Sequence, residues 1–209
     1  MTRPINLAVL LSGNGRSLQN MLDRIAAGRL SASVSVVVAS REDAYGLTRA
    51  QNAGIPTVVV TPRRAGGFAG MSREIEIALA EYPVDLIVLA GFMCFFRIPD
   101  KYLGKVMNIH PALIPAFCGK GYYGHLVHEQ VIAHGCKISG CTVHFADNHY
   151  DHGPIIIQRP VPVLDDDTPD TLAARVFEAE SEAYPEAIQL FAEGRLRIEG
   201  QRVRILQKQ

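Results

Sequence analysis

The sequence predicts an α/β fold with a doubly wound, mostly parallel sheet and antiparallel strands added towards the C-terminus. Two observations favour it. Short apolar runs alternate with longer segments in which apolar residues recur at helical spacing. The run INLAVLL, residues 5–11, is almost wholly apolar, as expected of a strand buried on both faces. No internal repeat or low-complexity linker interrupts this Rossmann-like pattern, so residues 1–209 are predicted to form one domain with two halves, 1–105 and 106–209.

In the first half, strands and helices alternate strictly. The predicted strands are INLAVLL (5–11), VSVVVAS (34–40), PTVVV (56–60), VDLIVLA (84–90) and KVMNI (105–109). The predicted helices are LQNMLDRIAAGRL (18–30), AYGLTRAQNAG (44–54), SREIEIALAEY (72–82) and a short one at PDKYLG (99–104). Leu18, Met21, Leu22 and Ile25 would form one apolar helical face.

The second half begins with a long loop and then mixes one helix with strands. HLVHEQVIAHG (125–135) is predicted to be helical, and KISGCTVHFA (137–146) and GPIIIQRPVPV (153–163) are predicted strands. Thr168 and Pro169 have the residue types of a helix N-cap and first position, and the helix is expected to reach Ala192 with a kink at Pro185. RLRIEGQRVRI (195–205) predicts a closing hairpin.

Composition and charge give no support to several classes of function. Lys plus Arg and Asp plus Glu both number 21, so nothing in the net charge favours nucleic acid or an anionic membrane as a partner. No apolar run approaches the roughly 20 residues of a membrane helix, and the N-terminus does not resemble a signal peptide. The four cysteines form no CxxC pair, which favours reduced thiols and a cytoplasmic location.

The turn SGNGRS (12–17) separates the first strand from the first helix. Its glycines allow backbone amides to approach a ligand, and a helix N-terminus favours an anion such as phosphate. Arg16 could add a charged contact. The run matches neither GxGxxG nor a Walker loop, so an ordinary tight turn is the alternative.

A second candidate, AGFMCFF (90–96), follows the fourth strand. Its residues could line a pocket for a planar ligand or could be ordinary core.

Asn108 and His110 end the fifth strand. Two residues apart on an extended strand, they face the same side, and ligands of open α/β sheets bind beyond the carboxyl ends of strands. An Asn amide can stabilise an oxyanion and a histidine can transfer a proton near neutral pH. Asp151 is placed in a loop where a carboxylate could orient the imidazole. The alternative is a structural histidine.

The same loop contains His149, Asp151 and His152, which raises the question of a metal. Three such residues in four positions fit no standard ligand spacing, so no metal is predicted.

Together these segments resemble the folate-dependent formyltransferases. The similarity covers nearly the whole chain, and its most specific part is NIHPALIP with a downstream Asp-x-Gly-Pro, while SGNG followed by Leu-Gln points to the branch that acts on glycinamide ribonucleotide. The resemblance runs through VLLSGNGRSLQ, DLIVLAGFM, NIHPALIP, GCTVHF, DHGPIIIQ and RVFEAESEAYP.

The resemblance implies a role for each matched position. It implies transfer of the formyl group of 10-formyltetrahydrofolate, a co-substrate, to the amine of glycinamide ribonucleotide in purine synthesis, by a monomer or homodimer. The catalytic residues would be Asn108, His110 and Asp151. The substrate would be bound by Gly13, Asn14, Gly15, Arg16, Ser17 and Glu180. The folate would be bound by Arg64, Met93, Cys94, Phe95, Phe96, Asn108, His144, Ala146 and Asp147.

Several positions depart from the family pattern. Arg16 and Ser17 stand where Ser and Asn are usual, and Cys94 replaces a common arginine. The segment 116–130 is longer than its usual counterpart, and it could bring Lys120 or His125 into the site or only reshape the mouth.

Three rivals differ in acceptor or chemistry. A formyltetrahydrofolate deformylase would use water instead of the amine, and normally carries an extra N-terminal regulatory domain. A methionyl-tRNA formyltransferase would need a C-terminal RNA-binding domain, for which the chain is too short and not basic. A non-catalytic phosphate-binding module would have no need of a proton donor beside a carboxylate.

Overall fold

The computed structural model describes residues 3–208, and the chain divides into two compact units, Met1–Met107 and Asn108–Gln209. The division falls inside the fifth strand. Residues 1, 2 and 209, which belong to the predicted domain 1–209, lie outside the described range. The assignment of the whole chain to one domain, with halves 1–105 and 106–209, stays a prediction.

The first unit is a parallel sheet with helical connections, as predicted. The strands are β1 (Ile5–Leu11), β2 (Ala32–Ala39), β3 (Thr57–Val59), β4 (Leu86–Leu89) and the start of β5 (Val106–His110). The first four run in the order β3-β2-β1-β4, and each neighbouring pair is parallel. The helices are α1 (Arg16–Ala26), α2 (Tyr45–Asn52) and α3 (Phe68–Ala80), with a 3-10 turn at Asp100–Tyr102. Leu7 to Leu11 are fully buried, which explains the unbroken apolar run of β1.

Two helix boundaries differ from the predicted ones by four residues, each for a local reason, and the other helix ends differ by at most two. Helix α1 ends at Ala26 rather than residue 30, because Gly28 adopts φ 66, a left-handed conformation that stops a helix. Helix α3 begins at Phe68, four residues before its predicted start at Ser72. The Ser72 hydroxyl donates to the Phe68 carbonyl (3.0 Å), so this serine lies within the first turns instead of capping them.

The second unit contains the antiparallel strands that the sequence predicted. Its elements are the end of β5, α4 (His125–Ala133), β6 (Ile138–Phe145), β7 (Ile155–Pro162), α5 (Pro169–Ala192), β8 (Leu196–Glu199) and β9 (Arg202–Ile205). Strands β6 and β7 pair antiparallel, β8 and β9 form the predicted hairpin, and β9 joins β7 in the parallel sense through Ile155 and Arg202.

Helix α5 packs on β6 and β7 and starts as predicted. The Thr168 hydroxyl accepts a hydrogen bond from the Thr171 amide (3.3 Å), and the Thr171 hydroxyl accepts one from the Thr168 amide (3.0 Å). The helix continues through Pro185 to Ala192. Within residues 3–208, no helix combines the length and apolar character required to cross a lipid bilayer.

Candidate active site

The turn between β1 and α1 is built around Gly15. This residue adopts φ 67, and a Cβ atom added to it would lie 2.7 Å from the Cα of Gly46. The amide of Gly46 donates to the Gly13 carbonyl (3.0 Å), so α2 lies directly against the turn. Glycine is therefore required at position 15 for both its backbone conformation and this close approach.

Arg49, a residue that the sequence analysis did not single out, holds the turn from α2. Its Nε donates to the Asn14 carbonyl (2.9 Å), its Nη1 donates to Gln19 Oε1 (3.0 Å), and its guanidinium lies 5.0 Å from the centre of the Tyr45 ring. No local pattern marks this arginine, because its partner Asn14 is 35 residues away in sequence. The first amides of α1 have no intrahelical acceptor, and they make the turn a potential anion site.

The segment after β4 is anchored to the same turn. The Met93 amide donates to the Ser12 hydroxyl (2.8 Å), and the Ser12 amide donates to the Gly91 carbonyl (3.0 Å). Met93 is exposed, whereas Phe96 is buried in the core. Burial raises the pKa of the Cys94 thiol, against the effect of a hydrogen bond with Ser40, so Cys94 carries no charge at neutral pH.

Arg64 lies in the Gly-rich loop before α3. Its Nη2 is 2.7 Å from Glu42 Oε1, and both side chains are exposed. A ligand carboxylate would therefore have to compete with Glu42 for this guanidinium.

In the second unit, the Asp151 carboxylate is the centre of the polar cluster that includes Asn108 and His110. Asn108 Nδ2 donates to Asp151 Oδ1 (3.4 Å), and His110 Nδ1 lies 3.6 Å from Oδ2, an ion-pair distance that is long for a hydrogen bond. The Gly119 amide donates to Oδ2 (2.8 Å). The His110 and Asp151 side chains are only 4% and 12% exposed, so water screens their interaction weakly.

His144 determines the orientation of the Asn108 amide. Burial lowers the pKa of His144 and outweighs the Phe145 carbonyl and the Asp151 charge, which raise it, so the imidazole is neutral. Its Nδ1–H donates to the Phe145 carbonyl (2.9 Å), which leaves Nε2 as an acceptor. Asn108 Nδ2 lies 3.1 Å from this Nε2 and donates to it. A flipped Asn108 amide would place its oxygen against two acceptors.

The extended loop contributes backbone groups to this cluster. His110 Nε2 lies 2.8 Å from the Phe117 carbonyl, and the loop also supplies the Gly119 amide that binds Asp151. Lys120 is exposed, and His125 is exposed near Glu129 and Asp170 at 3.9 and 3.8 Å. The contacts with His110 and Asp151 are therefore made by backbone groups of the loop, and not by the side chains of Lys120 or His125 that the sequence analysis considered.

Thr142 and Gln158 support the segment that follows His110, and the sequence analysis missed both. The Thr142 hydroxyl donates to the Ala112 carbonyl (2.7 Å) and accepts from the Ile114 amide (3.1 Å). Gln158 Nε2 donates to the Ile114 carbonyl (2.9 Å) and to Thr142 Oγ1 (3.1 Å). The signal available in the sequence was a buried-looking threonine within the strand GCTVHF, which is ordinary for a β-strand.

The loop from Ala146 to Gly153 carries Asp151 back towards β5. A Cβ atom on Gly153 would lie 1.9 Å from the Phe145 carbonyl oxygen, so the chain can pass there only as glycine. Asp151 itself adopts φ 50, a conformation that Asp tolerates better than most residues. These two backbone features aim the Asp151 side chain at Asn108 and His110.

The remaining candidates of the second unit are partly exposed. Glu180 is half-buried on α5. Burial of the Cys141 thiol raises its pKa to about 12, and the negative charge of Glu180 contributes to this rise. Ala146 is half-buried, and Asp147 accepts a hydrogen bond from the His152 ring (2.7 Å).

Comparison with known proteins identifies the family. The formyl transferase family model matches residues 5–188. This chain belongs to the formyl transferase family. Glycinamide ribonucleotide transformylase 1 from Symbiobacterium toebii is 44% identical with a TM-score of 0.91, over 98% of this chain and 95% of that chain. Phosphoribosylglycinamide formyltransferase from Haemophilus influenzae is 37% identical over 92% of this chain and 89% of its own length.

Other formyl transferase relatives are longer than this chain. It spans 62% of the chloroplastic phosphoribosylglycinamide formyltransferase of Vigna unguiculata, at 39% identity, and 19% of the trifunctional purine biosynthetic protein of Gallus gallus, at 38% identity. A formyltetrahydrofolate deformylase from Pseudomonas syringae has a TM-score of 0.86 at 20% identity, which shows a shared fold.

Proposed function

We propose that this protein transfers the formyl group of 10-formyltetrahydrofolate to the amine of glycinamide ribonucleotide, a step of purine biosynthesis. The observation that carries the proposal is the grouping of Asn108 and His110 on the two oxygens of Asp151. It occurs in a chain that aligns with the Haemophilus influenzae formyltransferase over 92% of its length.

The chemistry required is the transfer of one formyl group and one proton. The amine attacks the formyl carbon, a C–N bond forms, and the formyl oxygen becomes an oxyanion. The bond between that carbon and N10 of the folate then breaks, and the proton lost by the amine is delivered to N10. An amide donor and a protonated imidazole suit the oxyanion, and an imidazole suits the proton transfer.

In this proposal Asn108 Nδ2 and His110 stabilise the oxyanion, and His110 moves the proton. The His110 Nε2–H now faces the Phe117 carbonyl at 2.8 Å. The substrate oxygen or N10 would replace this carbonyl as its partner, so the loop around Phe117 shifts during the reaction. Asp151 keeps the imidazole oriented through Nδ1 and, through Oδ1, the Asn108 amide.

The binding roles in this proposal are those that the family resemblance implies. Gly13 to Ser17 bind the ribose phosphate through the first amides of α1 and the Arg16 side chain. Glu180 lies near the glycinamide amine. The folate contacts are Arg64, the segment Met93–Phe96, Asn108, His144, Ala146 and Asp147. Cys94 provides no cation for the folate carboxylates, because a thiol is either neutral or anionic, and burial raises its pKa and so favours the neutral form.

A spectrophotometric folate assay of the purified protein tests the proposal. Tetrahydrofolate should appear from 10-formyltetrahydrofolate when glycinamide ribonucleotide is present and should not appear without it. Release at equal rate without the amine would assign the protein to the deformylases. Binding of glycinamide ribonucleotide without turnover would indicate a non-catalytic module.

A further inference from the structure

Three potential metal ligands lie close together in the loop between β6 and β7. One carboxylate oxygen of Asp147 and one ring nitrogen each of His149 and His152 lie within 4.8 Å of one another. The sequence analysis considered Asp151 together with the two histidines. Asp151 turns towards Asn108 and His110 instead, and Asp147 occupies the position that would complete the set.

Asp147 is the centre of this three-residue cluster. Its Oδ2 lies 2.7 Å from His152 Nδ1, and its Oδ1 lies 3.7 Å from His149 Nδ1. The His149 amide also donates to Oδ1 (2.8 Å), which fixes the carboxylate relative to the loop backbone. The two imidazole rings pack edge to face with their centres 5.3 Å apart. The donor atoms are therefore held near one point before any ligand binds.

The charge of the cluster suits a cation. Asp147 supplies a carboxylate, a group that is ordinarily ionised at neutral pH. Two neutral imidazoles with one carboxylate match Zn²⁺ or a similar transition-metal ion, whereas Ca²⁺ and Mg²⁺ prefer oxygen ligands.

The distances also suit Zn²⁺. Tetrahedral zinc with ligand bonds of about 2.0–2.1 Å requires its donor atoms to be about 3.3 Å apart. The separations of 2.7 Å from His152 Nδ1 to Asp147 Oδ2 and of 3.7 Å from His149 Nδ1 to Asp147 Oδ1 lie on either side of that value. Side-chain rotation about the exposed histidines, which are 78% and 55% accessible, is sufficient to adjust them. The same exposure leaves the fourth position open to water.

We propose that Asp147, His149 and His152 form a binding site for a divalent transition-metal cation, for which Zn²⁺ is the test ion. The ion would tie residues 147 and 152 together on both sides of Asp151. It would displace the proton that His152 Nδ1 now shares with Asp147. Because the donors converge only in the folded loop, Zn²⁺ would stabilise the native state in a concentration-dependent way.

Calorimetric titration of the intact, chelator-treated protein with Zn²⁺, under conditions that keep thiols reduced, tests the site. We expect one equivalent to bind, and we expect His149→Ala and His152→Ala each to lower the affinity by at least about tenfold. The melting temperature should rise with Zn²⁺ concentration in the wild type and not in the double variant.

Two matched controls separate this site from other Zn²⁺ ligands. His134→Ala removes an exposed imidazole elsewhere and should leave affinity unchanged. Cys118→Ser removes a partly exposed thiol from the neighbouring loop and should also leave it unchanged. Wild-type affinity in the double histidine variant, loss of binding in Cys118→Ser, or no binding by the wild type would each overturn the proposal.

Discussion

Each oxygen of the Asp151 carboxylate has its own partners. Oδ1 accepts a hydrogen bond from Asn108 Nδ2 at 3.4 Å, whereas Oδ2 faces His110 Nδ1 and the Gly119 amide at 3.6 and 2.8 Å. One side chain therefore orients both the amide and the imidazole proposed to act on the formyl group. A buried carboxylate that loses its partners destabilises the fold, so the stability contributed by each of these residues depends on the others.

Replacing any member of this set should reduce turnover with little change in fold. Asn108→Ala, His110→Ala and Asp151→Asn are each expected to lower kcat by roughly 10²–10³, the effect of removing one oxyanion donor. Asn is chosen at position 151 because it tolerates φ 50. The measurement is the folate assay together with circular dichroism. Wild-type turnover in any of the three variants would break the assignment.

Thr142 is predicted to act through structure instead of chemistry. Thr142→Val keeps the side-chain shape but leaves the Ala112 carbonyl and the Ile114 amide without their hydroxyl partner. We expect a loss of about 1–3 kcal/mol in the free energy of unfolding, measured by urea denaturation.

Ser139 provides the matched control for Thr142 on the same strand. Its buried hydroxyl has no hydrogen-bond partner among the residues that the structure describes. Ser139→Ala should therefore cost less than about 1 kcal/mol. Equal losses in the two variants would contradict the role given to the Thr142 hydroxyl.

At the scale of elements, α2 positions the turn before α1 that is proposed to bind the phosphate. Gly46 brings the α2 backbone against Gly15, and Arg49 binds the Asn14 carbonyl. The turn was predictable from its glycines and its place after a buried strand. The support that α2 gives to the turn was not predictable. Gly46 and Arg49 lie about one helical turn apart on a helix whose sequence shows only ordinary amphipathic residues.

Gly15→Ala should disturb this junction, and Gly28→Ala provides the comparison. Both glycines have nearly the same φ, 67 and 66, but a Cβ atom meets Gly46 only at position 15. Gly28→Ala should cost about 1–2 kcal/mol of stability from backbone strain and leave the KM for glycinamide ribonucleotide unchanged. Gly15→Ala should cost more and raise that KM. Equal effects on KM would exclude the phosphate role of the turn.

At the scale of the whole molecule, buried histidines make stability depend on pH. His128 on α4 is buried, and its Nδ1 has no hydrogen-bond partner within residues 3–208. Burial lowers its pKa from 6.5 to about 4, with smaller contributions from His125 and His110. Burial lowers the pKa of His144 as well. Between pH 6.5 and about 4, the unfolded chain binds more protons at His128 than the folded chain does. The free energy of unfolding therefore falls as the pH is lowered through this range.

Replacing His128 should therefore reduce the sensitivity to acid. Above pH 7 the imidazole is neutral in both states, so the stability difference between His128→Leu and wild type should be constant. Between pH 6.5 and about 4 the variant should gain on the wild type by up to about 1.4 kcal/mol per pH unit. Urea denaturation of the wild type and of His128→Leu at pH 7.5 and at pH 5 measures the difference in their free energies of unfolding. The same difference at the two pH values would contradict the buried, neutral state of His128.

The sequence by itself determined the α/β order, the turn after β1, the strand that ends in Asn108 and His110, and the formyl transferase family, because periodicity, glycine positions and short motifs are local properties. Tertiary structure decided which groups meet. It aimed Asp151 at the strand end and Asp147 at the two histidines, placed Phe117 O on His110, and recruited Thr142 and Arg49 as supports. Most of these contacts join residues far apart in sequence. The backbone conformation of a single residue, such as φ 50 at Asp151, also selects which side chains its own side chain contacts.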